Sequence, residues 1–411
     1  MIAAALFERV VVRGTDVVPR VSVIVPAFNA EATLGACLDS LHRQTLHPFE
    51  IIVVDDASTD TTLWIAAAKG AQTLRMLGNG GPGLARNAGA AVATGDILAF
   101  IDSDCVALPD WLEYMVGMLT REQLGAVTGG YGGTLTGAFL PRLQDLALRL
   151  RQRSLPNRIA STISSNLVCR REFFDAAQGF PLYFRRWGDR RPVWGNEDEE
   201  FGFLAAQGRN VIGWVDRSAV LHEYRTTLRG YLRQQTFYAE RIVMSYLWRP
   251  AMAATKTNYS RGSGMRDLVV TGLVPATGAA AMLAASTASI HTPVALAVFG
   301  ACVVAYLALP IGTLRGLRSL GSDAKFIAKA YPIVLAVKAA WFVGALRGLI
   351  FSLGGFKNGN TQRRVAPAAF VVEARPAAAP DVLRDGSVQR GMQALLLLGQ
   401  PQSGTEGTDP R

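Results

Sequence analysis

The chain has 411 residues, enough for two or more domains, and half of them are apolar, a share high for a soluble enzyme that points to membrane segments. Lys and Arg total 42 against 32 Asp and Glu, a formal charge of +10 that suits nucleic acid, anionic lipid or an anionic substrate. No zinc-finger spacing or regular basic helix supports nucleic acid, so that partner is set aside; membrane surface and a diphosphate-bearing substrate fit better. Cys37, Cys105, Cys169 and Cys302 are scattered, with no CxxC and no His at metal spacing, and read as reduced thiols of a cytosolic compartment. Met1–Phe7 is apolar but short and has no preceding basic region, so no signal peptide is expected.

Residues 1–20 read as an N-terminal extension. Val21-Ser22-Val23-Ile24-Val25 then predicts a strand stopped by Pro26. Ala32 to Gln44 carries Leu34, Cys37, Leu38 and Leu41 at a helical period. Ile51–Val54 is a second strand, apolar on both faces as central parallel strands are. Thr61–Lys69 is helical and Asp96–Ile101 is another strand. This alternation predicts a parallel α/β sheet with ligands at the carboxyl ends of its strands. Asp55-Asp56 and Asp102-Ser103-Asp104 both fall at such ends. Further on come a helix over Pro109–Leu119, a strand near Ala126–Thr128, a Gly-rich turn at Gly129–Gly133, a helix from about Glu197, and an amphipathic, basic stretch over Leu228–Tyr246.

The composition changes after a linker at 246–267. No Asp, Glu, Lys or Arg occurs between Leu268 and Leu314, and the segments 268–287 and 293–313 each reach the ~20 residues needed to cross a bilayer core. Arg261 and Arg266 precede them and Arg315, Arg318, Lys325 and Lys329 follow, so by the positive-inside bias they form a hairpin with both flanks cytoplasmic. After a basic loop, 331–356 is apolar but interrupted by Lys338 and Arg347; it is expected as an interfacial helix or a third crossing, with the interfacial alternative preferred because mid-bilayer charge is costly. The Ala-, Pro-, Gly- and Arg-rich tail at 358–411 is expected to be disordered.

Two carboxylates one residue apart at a strand end, Asp102 and Asp104, can hold a divalent cation, although most such triplets are solvated turns. Val23-Ile24-Val25-Pro26-Ala27-Phe28-Asn29, Val53-Val54-Asp55-Asp56-Ala57-Ser58-Thr59-Asp60, Gly83-Leu84-Ala85-Arg86-Asn87-Ala88-Gly89 and Asp102-Ser103-Asp104 occur in one order. Together they resemble the family 2 glycosyltransferases over roughly residues 20–245. The resemblance implies a GT-A-type, Rossmann-like nucleotide-binding domain at 21–245 with a mostly parallel sheet, inverting chemistry, and Mn²⁺ or Mg²⁺ as cofactor.

For the nucleotide-sugar, the resemblance implies binding by Pro26, Phe28, Asn29, Asp56, Arg86 and Asp102. Phe28 would stack on the base, or else be an ordinary core aromatic; Asp56 would accept hydrogen bonds from the base, with Asp55 and Asp60 supporting the loop or capping the helix that starts near Thr61. Arg86 would contact the nucleotide, against the alternative of a surface salt bridge. Asp104 becomes the principal metal ligand, Asp102 lies nearer ribose or a metal water, and His222 is a further ligand or simply a satisfied side chain. In Trp194-Gly195-Asn196-Glu197-Asp198 the family places a Glu-Asp pair: Asp198 is expected as general base, with Glu197 and Trp194 orienting acceptor or sugar. Arg233 is expected to face the diphosphate. Leu232-Arg233-Gln234-Gln235-Thr236-Phe237-Tyr238 departs from the Gln-x-x-Arg-Trp motif of processive synthases, which disfavours a continuous polymerase.

The expectation is therefore a non-processive transferase at the inner membrane, its catalytic domain facing the cytoplasm. It would take a UDP-, GDP- or dTDP-sugar and act on a lipid-linked or envelope-glycan acceptor. Alternatives are a peptide or small-molecule acceptor, or a silent nucleotide-sugar-binding scaffold.

Overall fold

The structure, a computed structural model, describes residues 19–153, 155–184, 192–193, 195–206, 211–216, 220–253, 292–353 and 370–373. The strands are β1 (Val21–Ala27), β2 (Glu50–Asp55), β3 (Gln72–Met76), β4 (Ile97–Phe100), β5 (Cys105–Ala107), β6 (Ala126–Gly129), β7 (Gly133–Thr134), β8 (Arg158–Ile159), β9 (Leu167–Arg170), β10 (Tyr183–Phe184), β11 (Pro192–Val193), β12 (Ile212–Val215), β13 (Val220–His222) and β14 (Phe370–Glu373). The helices are α1 (Leu34–His42), α2 (Thr62–Ala68), α3 (Pro82–Val92), α4 (Trp111–Arg121), α5 (Phe139–Gln152), α6 (Arg171–Ala176), α7 (Glu197–Ala205), α8 (Leu228–Trp248), α9 (Pro250–Ala253), α10 (Thr292–Ala308), α11 (Ile311–Ser319) and α12 (Ala324–Leu353).

Nine strands form one sheet in the order β14-β3-β2-β1-β4-β9-β6-β12-β8. β3, β2, β1 and β4 are mutually parallel, while β9 runs antiparallel between β4 and β6. The central strands are apolar throughout because both faces are covered. Val23 and Val25 of β1 enter one core cluster and Ile24 the other; Val53 and Ile52 of β2 divide in the same way, as the two-residue period of a strand requires. Helix α3 and an aromatic group formed by Phe100, Phe174, Phe180 and Phe201 close one face. Helices α1 and α4 close the other.

A second, three-stranded sheet has the order β5-β13-β7. Its register sets His222 opposite Cys105, and the Glu223 amide donates to the Asp104 carbonyl at 3.0 Å. This short sheet is the reason that His222, distant in sequence, ends beside the acid triplet.

The C-terminal helices do not stand apart from the α/β domain. Leu143, Leu146 and Leu150 of α5 pack with Leu317 of α11 and Ala330, Ile333 and Val334 of α12. Farther along, α12 lies on α8, and a Cβ at Gly348 would fall 2.5 Å from the Glu240 carbonyl oxygen; Gly344 likewise meets the Thr236 carbonyl. Such contact between helix backbones is open only to residues without a side chain. The basic stretch after residue 314 is helical here, as α11 and the start of α12, and α12 extends from 324 rather than 331. The charge-free segment 268–287, the linker from residue 254 and the extension through residue 18 lie outside the described residues, as does the tail except for 370–373.

Candidate active site

A cleft of about 330 Å³ opens at the carboxyl ends of the sheet. Asp102, Asp104, Tyr131, His222 and Arg225 line one side, Glu197 and Asp198 another, and Gln144, Arg151, Gln234, Gln235 and Arg241 come from α5 and α8.

The loop after β1 and β2 is built by hydrogen bonds. Asp56 is buried and accepts from the amides of Gly80 at 2.7 Å and Gly81 at 2.8 Å; burial, stronger than these two bonds, pushes its carboxyl up to about 6. Gly81 has φ +83°, a left-handed conformation that lets its N–H turn toward the carboxylate before α3 begins. Asn29 accepts from the Thr59 amide at 2.9 Å, so its side chain ties the two loops together. Asn29 and Ala57 are themselves left-handed, at φ +48° and +62°. Phe28 is 48% exposed, which removes the core-aromatic alternative and leaves its ring available above this turn. Asp55 and Asp60 support the loop, accepting from the Ser58 and Thr62 amides.

Arg86 is 3% exposed and bridges two acids, donating to Asp102 at 2.6 Å and to Glu197 at 3.3 Å. It is not a surface ion pair: it joins the strand-end triplet to the first turn of α7. Glu197 also accepts from the Gly195 amide at 2.8 Å. Asp198 accepts from the Glu199 amide at 2.9 Å, and burial, then the neighbouring Glu197 charge, raises its carboxyl to about 7 despite Arg86. A carboxylate at that level can take a proton near neutral pH. Trp194 lies outside the described residues.

The donor atoms of Asp104, Cys105 and His222 lie within 4.8 Å of one another. His222 Nε2 is 3.7 Å from Asp104 Oδ1, too far for a hydrogen bond. Its Nδ1 is buried without a hydrogen-bond partner among the described residues, and the ring is flanked by Tyr131 and Tyr224. Burial pushes the Asp104 carboxyl up, an electrostatic deficit that a divalent cation would reverse. Burial and Asp104 together raise the Cys105 thiol well above its ordinary value, and Mn²⁺ or Mg²⁺ takes oxygen and nitrogen in preference to a thiol. A carboxylate with an imidazole suits Mn²⁺ or Mg²⁺ in the first case and Mn²⁺ more than Mg²⁺ in the second; the donor set fits.

Arg233 differs from expectation. It is exposed, while Gln234, Gln235, Phe237, Tyr238 and Arg241 of the same helix line the cleft. The rotation of α8 is set by its contact with α12, and Arg241 becomes the cleft cation of this helix. Sequence reasoning also passed over α5: Gln144 donates to the Arg225 carbonyl at 2.7 Å, and Asp145 accepts from Tyr224 at 3.3 Å behind His222. The only signal was an amphipathic, Arg-rich stretch with no motif.

A profile described as Glycosyl transferase family 2 matches residues 22–177. Residues 22–177 are a family 2 glycosyltransferase domain. The chain is 40% identical over 228 residues to the putative glycosyltransferase EpsH of Bacillus subtilis, covering 53% of this chain and 63% of that protein. It is 32% identical over 127 residues to the Escherichia coli UDP-Glc:alpha-D-GlcNAc-diphosphoundecaprenol beta-1,3-glucosyltransferase WfgD, covering 29% of this chain and 50% of WfgD. The chain thus spans less than two thirds of the length of either relative. Among solved structures, the mannosyltransferase PcManGT of Pyrobaculum calidifontis, in complex with GDP-Man and Mn²⁺, aligns with a TM-score of 0.52 at 19% identity, over 80% of this chain and 87% of that one. That likeness shows a shared GT-A-like fold.

Proposed function

We propose that the chain is a membrane-associated, inverting glycosyltransferase that moves a sugar from a nucleoside-diphosphate sugar to an acceptor hydroxyl, one residue at a time. The single observation that carries this reading is the placement of two carboxylate groups across one cleft: Asp104 beside His222, and Asp198 with its carboxyl near 7, linked through Arg86, Asp102 and Glu197.

In this mechanism Phe28 and Asp56 receive the base, and Asp102 lies toward the ribose. Asp104 and His222 would hold Mn²⁺ or Mg²⁺, which would supply positive charge to the diphosphate leaving group when bound. Asp198 takes the proton from the acceptor hydroxyl as its oxygen forms the bond to the anomeric carbon and the bond to the diphosphate oxygen breaks, inverting configuration. Glu197 orients the sugar or acceptor, and Arg86 keeps Glu197 and Asp102 in fixed relation. Trp194 would assist Glu197 in orienting the sugar or acceptor.

WfgD, by its name, acts on a diphosphoundecaprenol-linked sugar with UDP-glucose, and PcManGT binds GDP-Man and Mn²⁺. These support a nucleotide-sugar donor and a lipid-linked or envelope-glycan acceptor. Two helical stretches, Ala297–Ser319 and Ala324–Ser352, are long and apolar enough to cross a membrane and support membrane association. The basic flanks at Arg261, Arg266, Arg315 and Arg318 support an inner-membrane placement with the cleft on the cytoplasmic side. UDP-, GDP- and dTDP-sugars incubated with Mn²⁺ or Mg²⁺ and a polyprenyl-diphosphate-linked acceptor test the reading. Transfer from one donor, abolished in Asp198→Asn, is expected; no binding and no turnover of any donor would overturn it.

A further inference from the structure

The two apolar C-terminal stretches pass the same length and hydropathy test but have different surroundings. In the first, 6% of the most apolar window is buried against the protein; in the second, 28% is. Helix α10 exposes Val298, Phe299, Val303, Val304 and Leu307 around its circumference. Helix α12 is two-sided: Ala330, Val334, Val337 and Ala345 are buried, whereas Val343, Leu346, Leu349 and Ile350 are exposed.

The buried side of α12 is occupied along its length. Ala330 and Val334 sit against Leu143 of α5, and Gly344 and Gly348 sit against the backbone of α8. From 330 to 348 the helix rises about 27 Å, close to the whole ~30 Å of a bilayer's hydrocarbon core. Several of the groups it meets beyond these apolar contacts are polar or charged. Trp341 donates to Gln235 Oε1 at 2.8 Å, Arg151 lies 5.4 Å over the Trp341 ring, and Arg347 pairs at 3.1 Å with Glu240, which is 3% exposed. Gln235 and Arg151 line the cleft itself. A bilayer-crossing α12 would carry α5, α8 and the wall of a polar cleft into hydrocarbon, at several kcal/mol for each charged group.

We infer that α12 lies in the plane of an anionic membrane leaflet, its Val343–Ile350 face on the lipid and its Gly344–Gly348 face on α8, so that the acceptor end of the cleft opens at headgroup level. Charge complementarity selects the partner. Between 292 and 353 the basic residues are Arg315, Arg318, Lys325, Lys329, Lys338 and Arg347, and the one acid is Asp323. An apolar stripe bordered by cations is the pattern of a surface-bound helix. Helix α10, exposed on nearly all sides among the described residues, is the element that enters the hydrocarbon.

This inference rests on the membrane-associated reading above, and the test separates the two. In the full chain with Cys302→Ser, which leaves only the buried Cys37, Cys105 and Cys169, single cysteines replace Ala328, Ala336, Val343 or Ile350. Each variant is spin-labelled and bound to vesicles of phosphatidylcholine and phosphatidylglycerol. Oxygen and nickel-chelate collision rates then give depth. The expected result is one shallow depth for all four sites, about 5–10 Å below the headgroups, with weaker binding to phosphatidylcholine alone. A depth that peaks at 336 and 343 and returns to water at 328 and 350, in a protein that still floats with vesicles, overturns the in-plane placement alone. Failure to float overturns the membrane-associated reading with it.

Discussion

The two walls of the cleft are built in different ways. On the donor side, short loops at the ends of buried parallel strands carry Asp56, Asp102 and Asp104, and backbone amides fix Asp56 in place. On the opposite side, which we assign to the acceptor, α5 and α8 present Gln144, Arg151, Gln235 and Arg241, and what holds them is another pair of helices, α11 and α12. A donor wall that is rigid by its sheet can be shared by many transferases. An acceptor wall mounted on apolar helices ties the substrate it accepts to the surface on which those helices lie.

The largest expected effect lies on the donor side. Asp104→Asn should lower transfer on the order of 10³-fold and weaken Mn²⁺ binding, measured by titration calorimetry, since charge stabilisation at the leaving group is worth several kcal/mol. Next is Asp198→Asn, at about 10²–10⁴-fold in kcat with donor affinity retained. In the wild type, kcat/KM should fall as pH drops through about 7, because the raised carboxyl becomes protonated and can no longer accept the hydroxyl proton. A profile flat from pH 5.5 to 8.5 would remove Asp198 from the role of base.

Smaller effects belong to the acceptor wall. Gly348→Leu forces a side chain into the Glu240 backbone and should cost about 1–3 kcal/mol in denaturant unfolding, with acceptor KM raised more than donor KM. Equal changes in both KM values would mean that the two walls are not separately mounted. Trp341→Phe leaves the Gln235 carbonyl without its donor, a loss of about 1 kcal/mol that should again be read in acceptor KM. Arg233→Ala, on an exposed position, should stay within about 0.5 kcal/mol of wild type in stability and leave transfer unchanged.

The same division governs what the sequence makes legible. Strands β1, β2 and β4 announce themselves as buried apolar runs, and their carboxyl ends locate Asp56, Asp102 and Asp104 without further information. The antiparallel β9 that separates β4 from β6 is equally apolar in Leu167-Val168-Cys169, but nothing local gives its direction. His222 is reached through the resemblance alone; the physical cause is the pairing of β13 with β5, a long-range register. Helix α8 misleads for a different reason. It is packed against α12 on one side and faces the cleft on another, so its apolar period does not single out one face, and Arg233 and Arg241 cannot be ranked from sequence. Along α12, Lys325, Lys329, Lys338 and Arg347 obscure a continuous helix of 30 residues, because the pairing of Arg347 with Glu240 of α8 is a long-range contact that the sequence does not display.

The division between a metal-bearing donor wall and a separate base is tested most directly by calorimetric titration of the accepted nucleoside diphosphate into wild type, Asp104→Asn and Asp198→Asn, each with and without Mn²⁺. Metal-dependent binding that is lost in Asp104→Asn and kept in Asp198→Asn is the predicted result. Binding that needs no metal, or that falls equally in both variants, would contradict the account.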